Sequence, residues 1–76
     1  MSATRTKPVK LQVNDSGSWR NVIRFDAADD AQCVAITEAA ATLGRAASRA
    51  TFRIAMDDAL QLPLLHWTRE KGWVES

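Results

Sequence analysis

Residues 27–43 contain neither glycine nor proline and are rich in alanine, and this stretch limits what the chain can build. Such a composition predicts one helix. Asp26 precedes it as an expected N-cap, with Asp29 and Asp30 in the first turn, where the helix dipole favours negative charge. Gly44 stands where a left-handed C-terminal residue belongs. Cys33, Ile36, Ala40 and Leu43 recur at helical spacing as an expected buried stripe, and Val34 falls on the far side, at the surface or under a partner.

On both sides of this helix the pattern changes to period two. Val9, Leu11 and Val13 alternate with Lys10 and Gln12, and a second run extends from Trp19 to Phe25. The link between them, Asn14 to Ser18, is dense in turn residues, with Gly17 available for positive φ, so the two runs predict an antiparallel hairpin. Asn21 shares the parity of Ile23 and Phe25 and would fall on the core face. That conflict points to a bulge, or to burial that begins only after Asn21. Ser48 to Asp57 reads as a third strand and Leu62 to Trp67 as a fourth. Pro63 suggests an edge position for the fourth, because proline cannot donate to a ladder. Trp73-Val74 is either a tail or a short fifth strand.

The expected fold is α+β, a β-β-α-β-β order making a single antiparallel sheet with one helix packed on one face. Residues 1–7 are expected to be a flexible tail and residues 8–76 one domain. A helix about 25 Å long, at ~1.5 Å per residue, shields one face of such a sheet and leaves the other bare. Function is therefore sought on the bare face and its borders.

Composition excludes several classes. The chain has 76 residues, 46% hydrophobic and 25% charged, enough for one small core. No apolar run is long enough to cross a membrane as a helix, and residues 1–8 lack the apolar region of a signal peptide. One cysteine supplies neither an internal disulfide nor a structural zinc site, and a reducing cytoplasm is the expected compartment. No phosphate loop is present, since the three glycines are scattered, and no cofactor or small-molecule substrate is implied.

The net charge of +1 hides blocks. Residues 1–24 carry five bases against one acid, residues 25–44 four acids and no base, and residues 45–56 three arginines. By parity, the bare face holds Lys10, Gln12, Arg20, Val22, Arg24, Thr51, Arg53 and Ala55. Lys10, Arg20, Arg24 and Arg53 form a candidate nucleic-acid surface, because guanidinium and ammonium groups hold phosphates by charge-assisted hydrogen bonds. The plain alternative is a solvated face whose arginines pair locally with Asp15 or Asp57. The face lacks interleaved aromatics, which weighs against base stacking.

Val34, Trp67 and Trp73 are the candidate protein-interface residues, tryptophan being enriched where one polar handle serves an apolar ring. Closing the open end of the core is the competing role for Trp67, and a cleft between Trp67 and Trp73, rimmed by Arg69 and Lys71, is a further expectation. Candidates for chemistry are weak. Cys33 reads as a small buried hydrophobe, and His66, its one available base, as a solvated strand residue. Asp29-Asp30 and Asp57-Asp58 have local explanations in capping and turn formation rather than metal binding. No enzymatic activity is expected.

Trp19-Arg20-Asn21-Val22 running to Phe25-Asp26, then Phe52-Arg53-Ile54, then Trp67 to Trp73, together resemble small uncharacterised bacterial proteins of prophage type. The resemblance spans most of the chain and implies a bacterial, cytoplasmic accessory protein; it transfers no functional residue. The expected function is a protein-interaction module, acting on an unknown partner or on itself, with nucleic-acid binding as the alternative.

Overall fold

The structure, a computed structural model, describes residues 7–47 and 49–75. In chain order the elements are β1 (Pro8–Asn14), β2 (Trp19–Asp26), α1 (Asp30–Ala46), β3 (Thr51–Met56), β4 (Pro63–Thr68) and β5 (Gly72–Glu75). The strands form one antiparallel sheet in the order β2-β1-β3-β4-β5, with the helix on one face, as the alternation and the single helical stretch require. β2 and β3 both run antiparallel to β1 and flank it, so α1 connects two parallel strands and passes over the strand between them. Val9, Leu11, Phe25, Phe52, Ile54 and Trp67 meet Ala40 in the core, with Cys33, Ile36, Leu65 and Trp73 at its margin. No helix among the described residues is long and apolar enough to cross a membrane.

Of the expected tail, residues 1–6 lie outside the described residues. Lys7 is tied to the sheet: its N–H donates to the Asp26 carboxylate at 2.8 Å and its carbonyl accepts from Ala27 N at 2.9 Å.

Asp26 is not the N-cap. Its carboxylate also accepts from Ala28 N, closing the strand-to-helix turn, and those two backbone donors hold the group below the usual carboxylate range. The helix therefore begins one turn later. Asp29 caps it, accepting from Gln32 N at 3.1 Å, while the Gln32 side chain reaches back to accept from Asp26 N. Asp29→Ala is expected to cost about 1 kcal/mol, the ordinary worth of such a cap. A shift in the urea midpoint checks it, and an unchanged midpoint would show that water caps the helix equally well.

Gly44 is not a terminator either. The helix continues to Ala46, and Ala47 ends it by donating from its N–H to Leu43 O. Gly44 is buried because the Trp67 ring lies against its Cα, where any side chain would overlap the ring atoms Cζ3 and Cη2. Gly44 thus occupies the core-facing position expected of Leu43, which turns outward and is 56% exposed.

β4 is not an edge strand, since β5 pairs along its far side from Leu65 to Thr68. Pro63 is accommodated because it is the first residue of β4 and lies beyond the end of β5, beside a bulge where Leu64 is extra. Trp73-Val74 takes the strand alternative, entered through Gly72 at φ +70°.

Candidate functional site

The bulge signalled by Asn21 decides which side chains reach the uncovered face. Leu11 pairs with Ile23, but Gln12 pairs with Asn21, leaving Val22 as the extra residue. One inserted residue reverses the faces of everything on its far side. Trp19 and Asn21 therefore join Gln12 on the uncovered face. Arg20 pairs with Val13 and moves to the helix side of the sheet, which corrects its expected place. There it forms an exposed ion pair with Asp15 at 2.9 Å. Arg24, after the bulge in the chain, keeps its expected face and pairs with Asp57 at 3.2 Å. Both arginines thus have the local carboxylates named as the plain alternative.

Lys10, Gln12 and Ala55 were expected to meet the outside, and all three are buried, at 6%, 4% and 0% exposure. Long side chains and one loop cover them. The β3–β4 loop brings Gln61 over Lys10, whose Nζ donates to Gln61 Oε1 at 2.8 Å. Gln61 adopts φ +50°, a left-handed conformation of the kind that persists only where its surroundings fix it. Two backbone donors, Leu60 N and Gln61 N, fix this turn through the Asp58 carboxylate.

Gln12 sits at the centre of a short relay. Its Nε2 donates to Asn21 Oδ1 at 2.8 Å, and its Oε1 accepts from Arg53 Nε at 2.7 Å. The Arg53 guanidinium lies over the Trp19 ring, 4.3 Å from its centroid. His66, the cross-strand neighbour of Arg53, meets Trp19 edge-on at 5.7 Å. Arg53 is thus held at Nε by Gln12 and on one face by Trp19, a cation–π contact worth about 0.5–1 kcal/mol. Its two terminal nitrogens donate to no ion pair or hydrogen bond among the described residues. A guanidinium fixed this way loses little further entropy when its outer fork takes a carboxylate.

The sheet separates the other candidate pair. Cys33 packs on the helix side, whereas His66 lies on the opposite face, and burial, then Asp30, Asp29 and Asp26, push the Cys33 thiol up. Its Sγ donates to Ala27 O. Asp29 caps and Asp58 closes a turn, and no metal-ligating cluster forms among the described residues.

Of the candidate interface residues, Val34 is surface, 55% exposed. Trp67 is 2% exposed and lies wholly in the core, edge-on to Phe52. Trp73 is half-buried and donates from Nε1 to Thr37 O at 3.0 Å, joining β5 to the helix. Trp67 and Trp73 are cross-strand neighbours, so no cleft opens between them. The nearest concavity is an open groove of about 480 Å³ between Trp73 and the helix, floored by Thr37 and Ala41.

The expectation of a face without aromatics is corrected by Trp19 and His66. Parity counting through β2 missed Trp19, because it ran across the bulge. No protein-family model, curated protein or solved structure matches the chain.

Proposed function

We propose that this chain is a non-enzymatic protein-interaction module that associates with further copies of itself. The observation that carries the reading is the state of the expected cations. Arg20 is engaged by Asp15, Arg24 by Asp57, and Lys10 is buried beneath Gln61. A polyanion is held by releasing counterions at many phosphates, which requires several free cations. Among the described residues this face keeps one cation that is neither buried nor paired with a carboxylate, Arg53. What the molecule does present is apolar: Leu60, Leu62 and Leu64, bordering the face, are 75%, 55% and 40% exposed. Apolar side chains around one polar anchor suit a protein contact. A small domain with a single helix also gains from covering its second face, because its stability is marginal. A cytoplasmic setting, supported by the lone unpaired thiol, and the bacterial accessory role implied by the sequence resemblance belong to the same reading.

Sedimentation velocity tests it. The sedimentation coefficient is expected to rise from dilute to concentrated solution, and Leu60→Ser, Leu62→Ser and Leu64→Ser together are expected to weaken that rise. One monomeric species at every concentration overturns self-association. Nucleic-acid binding is a second reading, favoured specifically by Trp19 and His66 beside Arg53, which supply an aromatic surface for unpaired bases. Affinity for an oligothymidylate that falls steeply with salt and disappears in Arg53→Ala would establish that reading instead.

A further inference from the structure

The uncovered face lacks a second layer, and the opposite side of the same molecule carries a rod that fits it. We infer that copies stack head to tail, the outer flank of α1 from one copy lying on the uncovered sheet face of the next, with Glu38 of the first seated on Arg53 of the second. The inference rests on the self-association reading and names its surfaces.

Charge and spacing carry it. Two acids of the acidic block fall on one exposed flank of α1, where Asp30, Val34 and Glu38 recur every four residues. None of the three side chains forms an ion pair or a side-chain hydrogen bond among the described residues. The receiving face carries two cations in the complementary places, Arg53 with no ion pair among the described residues and Arg24 already paired with Asp57. Arg53 lies on β3 with its outer fork open. Arg24 lies on β2, two strands away and two ladder positions along, and its side chain is 69% exposed beyond its contact with Asp57. Two strand spacings and two residue rises separate Arg24 from Arg53 by about 12 Å. Eight helical residues separate Asp30 from Glu38 by ~12 Å as well. With Glu38 on Arg53, Asp30 reaches Arg24, and Val34 lies between the two ion pairs, against the Gln12–Asn21 bridge.

The donor flank and the receiving face are different surfaces of one molecule, so each contact leaves one of each free. Such a heterologous contact generates a chain of copies rather than a closed dimer unless its rotation closes a ring. It also gives every internal sheet a helix on both sides.

Charge reversal tests the pairing. Glu38→Arg changes an exposed helical side chain and leaves the core alone, so it keeps its circular dichroism and unfolding midpoint. It is expected to weaken association at least about tenfold, as loss of a close interfacial charge pair does. Arg53→Glu is expected to do the same. Mixing the two variants, or combining both changes in one chain, is expected to restore association, because the pair is re-formed with its signs exchanged. If Arg53→Glu fails to fold, Glu38→Arg alone decides, by whether its association constant falls. Wild-type association that Glu38→Arg leaves unchanged overturns this pairing and leaves self-association standing. Variants that each lose association but recover nothing on mixing also overturn it. A wild-type chain that never associates removes the broader reading as well.

Discussion

Trp67→Ala is expected to remove a large part of the stability of this protein. Trp67 is the largest fully buried side chain among the described residues, 2% exposed, and it joins three parts of the fold. It lies on β4, meets Phe52 of β3 edge-on with ring centroids 6.0 Å apart, and seats its six-membered ring on Gly44 of α1. Truncating a buried aromatic to alanine costs about 3–5 kcal/mol in transfer free energy and residual cavity. A chain of this length has about 4–11 kcal/mol in total, at ~0.05–0.15 kcal/mol per residue. The substitution should therefore bring the urea midpoint well below that of the wild type. A midpoint near that of the wild type would mean that the helix does not rest on this ring.

Gly44→Ala sets two effects of opposite sign against each other. Intrinsic propensity favours alanine inside a helix by roughly 1 kcal/mol. Packing opposes it, since a Cβ at this position falls inside the Trp67 ring, which is itself too buried to swing aside. Overpacking of this kind costs about 1–3 kcal/mol where the surroundings yield, and more where they do not. Packing is expected to win, so the exchange destabilises the protein despite improving the helix. The control is the same exchange in a Trp67→Ala background. With the ring gone, only propensity remains, and Gly44→Ala is expected to become stabilising. The change of sign, read from the two pairs of urea midpoints, is a coupling between residues 44 and 67 that helix propensity alone cannot produce. An equal effect in both backgrounds would dissociate Gly44 from Trp67.

The candidate site was legible only in part. Arg53 could be placed from its own strand, because Phe52, Ile54 and Met56 fix the parity of β3 without interruption. Arg20 could not, because Val22 is extra in β2 and reverses every side chain before it. The warning was present in the sequence: Asn21 on a core face is a polar residue in the wrong place. Carried to its consequence, it would have brought Trp19 and Asn21 to the uncovered face and taken Arg20 away. Gln61 gave no such signal. Nothing local to Leu60-Gln61-Leu62 says that its amide covers Lys10, a residue 51 positions earlier.

Local chemistry determined the elements themselves. Period-two alternation made β1 and β3, the absence of glycine and proline over residues 27–43 made most of α1, and Asn14 to Ser18 made the turn, with Gly17 at φ +98°. These depend on neighbours within a few positions, whose sterics and periodicity the sequence states directly. The order of the strands, the burial of Lys10 and Gln12, and the use of Gly44 as a seat rather than a stop were decided by tertiary packing. Each depends on which distant segment occupies a given volume. A glycine that ends a helix and a glycine that admits a tryptophan ring are the same letter until Trp67 arrives.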